Sequence, residues 1–174
     1  IAEWRLTPAG EPMHGFASLV VPVRTGEGVD AVLKVGFDGA DEAAQEHLAL
    51  QAWSGDGAVT MFRADPSRRA LLLERLRSED LSDEWDLHAC EIVADFYPRL
   101  HLAAPGRLRS LTGFLERWLD AMECGAHDLP VPRRLLDQAL TRGRDFVDDP
   151  ESTGRIVHGD LHYANVLAAE REPW

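Results

Sequence analysis

Hydrophobic positions follow two different rhythms along the chain. Through residue 77, short β-rich runs at 3–9, 19–24 and 30–37 are separated by turn residues, with Gly26-Glu27-Gly28 between the second and third. They predict a small antiparallel sheet. A helix is expected over 41–53, opened by acidic residues that suit a helix N-terminus and closed by Ser54-Gly55-Asp56-Gly57. Two further strands fit 58–63 and 69–76, joined by a turn at Asp65-Pro66-Ser67. Beyond Ser78-Glu79-Asp80 the apolar spacing becomes helical over 84–102, 108–124 and 132–147, with Pro98 expected to kink or split the first of these. The segment 155–169 reads as short strands around a loop. The pattern as a whole predicts an α+β fold, with residues 1–77 forming a sheet-based lobe and 78–174 a mainly helical one.

At 174 residues and 45% hydrophobic, the chain can bury a core, and a soluble globular protein is expected. Its apolar runs fall far short of the roughly 20 residues a membrane span needs. The start, Ile1-Ala2-Glu3-Trp4, has no leader-like stretch and no initiator Met, which predicts a cytoplasmic protein whose true N-terminus is missing. Two cysteines, Cys90 and Cys124, show no metal or disulfide spacing. A formal charge of −12 argues against nucleic acid as a partner and favours a cationic ligand, although a solvated acidic surface accounts for it equally well. Of the 18 Lys and Arg residues, only Lys34 is a lysine.

The strongest chemical signal is Ile156-Val157-His158-Gly159-Asp160-Leu161-His162-Tyr163-Ala164-Asn165-Val166-Leu167, a polar loop between apolar flanks. Asp160 and Asn165 have the spacing of base and metal ligand in a kinase catalytic loop. Phosphoryl transfer needs a carboxylate to orient and deprotonate the attacking hydroxyl. It also needs a neutral oxygen that holds Mg²⁺ against the nucleotide phosphates without adding repulsive charge. His162 is read as a residue that shapes the loop. This HGDLHxxN pattern resembles the aminoglycoside phosphotransferase and choline kinase group, which implies a two-lobed protein-kinase-like fold, ATP and Mg²⁺ as cofactors, and a small hydroxyl-bearing substrate.

Other residues extend the resemblance. Ala31-Val32-Leu33-Lys34-Val35 is similar to the kinase strand whose lysine contacts the nucleotide phosphates, a site that wants a compact ammonium rather than a planar guanidinium. At about 100° per residue, Glu46 falls on the same helical stripe as Leu50 and Trp53, so Lys34 is its expected partner, with Glu42 as the substitute. The strand end at Glu74 and Leu76 suits a hinge whose backbone meets adenine. Gly15 and Ser18 recommend Met13-His14-Gly15-Phe16-Ala17-Ser18 as the phosphate-covering loop, although it lacks GxGxxG. The runs Glu46-His47-Leu48-Ala49-Leu50, Gly55-Asp56-Gly57-Ala58-Val59 and Arg69-Ala70-Leu71-Leu72-Leu73-Glu74-Arg75-Leu76 narrow the likeness to the aminoglycoside/hydroxyurea resistance kinases, which include streptomycin phosphotransferases.

The chain departs from the family pattern at its end. No Asp follows Asp160, whereas the resemblance implies a second metal-binding aspartate shortly after Asn165; Glu170 and Glu172 lie instead in a charged turn-like stretch. The metal site is therefore expected to be incomplete, the C-terminal lobe truncated, and the fragment to have little or no transferase activity. Two rival readings follow. Gly159-Asp160-Leu161-His162 also resembles the GDxH signature of dinuclear metallophosphoesterases, and the missing aspartate admits a non-catalytic nucleotide-binding pseudokinase.

Overall fold

The computed structural model describes residues 2–15, 17–37, 44–125 and 130–174. They form an α+β structure of two compact units, one of residues 1–102 with 156–174 and one of 103–155. Among the described residues no helix is long and apolar enough to cross a membrane.

The first unit is built on an antiparallel sheet of six strands: β1 (Thr7–Pro8), β2 (Met13–His14), β3 (Ser18–Arg24), β4 (Asp30–Gly36), β5 (Met61–Asp65) and β6 (Ala70–Glu74). The order is β1-β3-β4-β6-β5, with β2 also paired to β3. β4 lies between β3 and β6, with Val20 and Leu71 opposite Lys34 and with Val21 and Leu72 opposite Leu33. Side chains alternate across a pleated strand, so this register sorts the residues onto two faces. Leu33, Ala31 and Leu72 join Leu6 and Val23 in a buried cluster on one face. Lys34 shares the other face with Leu71 and Leu73. The run Leu71-Leu72-Leu73 is continuously apolar because β6 is buried on both sides.

Helix α1 (Glu46–Trp53) buries Leu50 and Trp53 and ends on Ser54 in the left-handed region. The expected helix start at 41–43 lies outside the described residues. Helix α2 (Asp86–Leu100) runs through Pro98 without splitting. Pro98 falls in its last turn, where too few residues remain beyond the proline to make a second segment. Two strands are shorter than their hydrophobic runs. Arg5 takes a φ of 53°, which leaves only Thr7–Pro8 in β1, and positive φ at Gly55 and Gly57 keeps the chain turning until Met61.

The expected strands of 155–169 are a correction. The segment makes isolated bridges, Asp80 with Leu167 and Ala103 with Arg155, and one 3-10 turn at Tyr163–Asn165. Its apolar residues Ile156, Val166, Ala168 and Ala169 are buried. Their backbone is held by single contacts, Ile156 N–H to Leu102 O, Ala168 N–H to Glu79 O and Arg77 N–H to Ala168 O, each at 2.9 Å. Burial produced the strand-like pattern, but no neighbour runs alongside for long enough to form a ladder.

The second unit is a helical pair, α3 (Leu111–Cys124) and α4 (Arg133–Asp148). Ser110 caps α3 by accepting from Gly113 N–H at 3.1 Å. Leu119, Leu136 and Leu140 form its core, with Leu115, Met122 and Val147 around them. A Cβ at Gly143 would collide with Leu119 Cδ2, so the glycine in mid-helix permits the close approach of α4 to α3.

Candidate active site

Lys34 reaches out of the middle of β4 and meets the first residue of α1. Its Nζ donates to Glu46 Oε1 at 2.7 Å, with side chains 29% and 28% exposed. The sheet face and the apolar stripe of α1 bring the two together. Leu50 and Trp53 seat the helix, and Glu46, one and two turns earlier on the same stripe, is carried to the lysine. Glu42, the substitute partner, lies outside the described residues.

The second polar cluster lies on the loop after Ile156. Asn165 Nδ2 donates to the backbone oxygen of Asp160 at 2.8 Å and to its Oδ2 at 3.0 Å, and lies 3.0 Å from His162 Nε2. The 3-10 turn at Tyr163–Asn165 folds the asparagine back over the aspartate, which is why a spacing of five residues becomes a contact. Asp160 remains 77% exposed, so its carboxylate is open to a partner from solution. Gly159, with a φ of 79°, makes the reversal between His158 and Asp160 in a region that favours glycine. Asp160 N–H then points to His158 Nδ1 at 3.4 Å.

His158 and Trp53 were not assigned a role from sequence. The imidazole stacks on the indole with centroids 6.2 Å apart and planes 18° from parallel. The Trp53 Nε1–H donates to Leu100 O at 2.8 Å, at the end of α2 where helix carbonyls lack intrahelical partners. Burial lowers the His158 pKa below the ordinary imidazole value, and the Asp160 and Glu46 carboxylates only partly oppose this. Trp53 shows in the sequence as an apolar-stripe residue, but no local signal pairs it with a histidine 105 positions later.

A charged network escaped the sequence reading altogether. Arg171 Nε donates to both Glu74 carboxylate oxygens at 3.1 and 3.2 Å, and its Nη2 to Ala58 O at 2.8 Å. Glu172 bridges Arg171 and Arg99, and Arg99 also holds Asp56. Burial pushes the Glu74 pKa up, but hydrogen bonds from Thr60 and Arg171 outweigh it and hold the carboxyl below its ordinary value. The carboxylate at the end of β6 is thus occupied within the protein, while Leu76, just beyond, is half-buried. In the β2–β3 turn, Gly15 N–H donates to Ser18 O at 2.8 Å, and Ser18 is buried.

An open groove of about 660 Å³ flanks the Asp160 loop, lined by Cys90, Val93, Ala94 and Tyr97 of α2 together with Leu161 and Tyr163. It is largely apolar, and Tyr163 OH lies 4.0 Å from Cys90 Sγ.

Comparison with known proteins agrees with this arrangement of motifs. Streptomycin 6-kinase of Streptomyces glaucescens is 38% identical over 176 residues, covering 98% of this chain and 56% of that protein. The Streptomyces griseus streptomycin 6-kinase is 36% identical, covering 100% of this chain and 57% of the relative. Hydroxyurea phosphotransferase of Kitasatospora aureofaciens is also 36% identical, covering 100% and 52%. The chain thus spans just over half the length of these relatives. Residues 3–174 match the family described as aminoglycoside/hydroxyurea antibiotic resistance kinase, and the chain belongs to that family.

Proposed function

We propose that this chain carries the nucleotide-binding and catalytic-loop portion of an ATP-dependent kinase that phosphorylates a hydroxyl of a small antibiotic, of the streptomycin or hydroxyurea type, on a two-lobed protein-kinase-like fold. The observation that carries the reading is the Lys34–Glu46 pair at 2.7 Å, formed by the chain's single lysine in the same compact unit as the Asp160 loop. Lys34 contacts the α- and β-phosphates of ATP, and Glu46 fixes the ammonium so that little ordering is left to do on binding. Asp160 orients the acceptor hydroxyl and takes its proton. The groove beside Tyr163 leaves room for the acceptor.

Residues 15–18 and the backbone at 74–76 are assigned to the phosphates and adenine. For a metal, the donor set fits a lightly held Mg²⁺: with Nδ2 engaged by Asp160, the amide oxygen of Asn165 is its remaining ligating atom. Among the described residues no cluster of three or more His, Cys, Asp or Glu side chains could hold a metal ion; Asn165 would hold Mg²⁺ together with nucleotide phosphate oxygens. When bound, Mg²⁺ neutralises charge on the transferring phosphoryl group. This donor set suits a kinase better than a dinuclear phosphoesterase, which needs several protein ligands at the GDLH loop. The net charge of −12 suits a cationic acceptor.

Calorimetric titration of the folded chain with ATP and Mg²⁺, beside Lys34→Ala, tests the reading. Saturable binding that weakens about 10- to 100-fold in the variant is expected, the range for a lost charge-assisted hydrogen bond. A folded wild-type chain that takes up no nucleotide contradicts it.

A further inference from the structure

Helix α1 has a functional group at each end. Glu46, its first residue, holds Lys34, and Trp53, its last, is 6% exposed and lies against the loop that carries Asp160. Seven residues at about 1.5 Å each make the helix a strut of roughly 10 Å, and two turns return Trp53 to the Glu46 face. At the far end the indole is held twice, by its ring against His158 and by its N–H on Leu100 O. His158 in turn meets the backbone N–H of Asp160 across Gly159. A buried indole N–H needs a hydrogen-bond partner whatever its role, so the near-parallel stack on a polar ring is what sets Trp53 apart from a side chain that merely fills space.

We propose that Trp53 is a positioning residue, which by stacking on His158 holds the Asp160–Asn165 loop in register with the helix that carries Glu46. The inference rests on the kinase reading for its purpose but not for its test. The stack covers one side of the imidazole of a histidine that is otherwise exposed, and the lowered His158 pKa is in line with that partial cover. The charged or titratable groups that act on His158 are Asp160, Glu46, Lys34 and His162, drawn from the loop, α1 and β4.

The test follows two sets of NMR signals in the intact chain: the His158 ring protons through a pH titration, and the Asn165 side-chain amide. Trp53→Phe keeps an aromatic ring and is expected to leave both close to wild type. Trp53→Leu, checked for a cooperative melt, removes the stack. His158 should then titrate at higher pH, toward the ordinary imidazole value of 6.5, and the Asn165 amide signals should shift. If Trp53→Leu does not fold, the stack is opened from its other side. His158→Phe should then preserve the Asn165 signals, and His158→Ala should move them. A folded Trp53→Leu protein with unchanged His158 titration and unchanged Asn165 signals overturns the proposal, as does an Asn165 response equal in His158→Phe and His158→Ala. Titration with MgATP separates the two claims. A wild-type chain that binds no MgATP, while Trp53→Leu still moves both signals, removes the kinase reading and leaves the positioning role standing.

Discussion

The Lys34–Glu46 pair and the Asp160–Asn165 pair are the two halves of the candidate site, and they are secured in different ways. Lys34 and Glu46 are about 70% covered, because each projects from regular structure whose apolar side is packed: β4 between two strands, α1 through Leu50 and Trp53. Asp160 is 77% exposed on a loop anchored by single backbone hydrogen bonds, by the 3-10 turn at Tyr163–Asn165 and by the His158–Trp53 stack. A group that holds a ligand's charge gains from partial burial, where a Coulomb interaction is stronger than in water. A group that must receive a hydroxyl proton has to be reachable. The scaffold supplies rigidity at the first pair, and local hydrogen bonding supplies it at the second.

The contrast is broken most severely in the sheet. Leu72→Ala removes a side chain 3% exposed in the core behind β4 and should cost about 2–5 kcal/mol in urea denaturation, loosening Lys34 with it. The Lys34→Ala titration comes next, at about 10- to 100-fold in affinity. Glu74→Ala leaves Thr60 N–H and the Arg171 guanidinium without their carboxylate and should cost about 1–2 kcal/mol, discounted because Arg171 is partly exposed.

A pH series sharpens the comparison on the loop side. Burial holds the His158 pKa below 6.5, so as pH falls below that value the unfolded chain takes up a proton that the folded chain refuses, and stability drops. Glu74 acts in the same direction at lower pH: its folded pKa is depressed, so its contribution is present above about 4.5 and lost as pH falls through the folded value. Thermal melts should therefore fall from pH 7 toward pH 5, and His158→Asn should flatten that upper part of the curve. The smallest effect expected on stability is at the exposed carboxylate. Asp160→Asn should stay within about 0.5 kcal/mol of wild type, while abolishing any transfer shown by a longer protein. A larger loss would mean that Asp160 is part of the scaffold.

Much of the first unit was legible because period-two alternation and turn residues report directly on a pleated sheet: β4 and β6 lie within their hydrophobic runs, and β3 begins one residue before its own. Helical geometry put Glu46 on the apolar stripe of its helix, and the resemblance to kinases together with the cost of an unpaired carboxylate there pointed it to Lys34. The strand expectation for the loop misread burial as structure: Ile156, Val166 and Ala168 are apolar because they are buried, and burial does not require a ladder. Gly143 shows the same limit in the second unit, where a glycine in mid-helix looks unfavourable until Leu119 is seen against it.

The sequence by itself determined most elements of the sheet and the helices, the family resemblance and which residues are candidates for chemistry, since these depend on local periodicity and on residue type at short spacing. Tertiary structure alone decided that Trp53 lies on His158, that Arg171 closes on Glu74 and that Glu172 meets Arg99. Such contacts join residues tens to about a hundred positions apart. Their partners are chosen by the packing of whole elements, which no local pattern records.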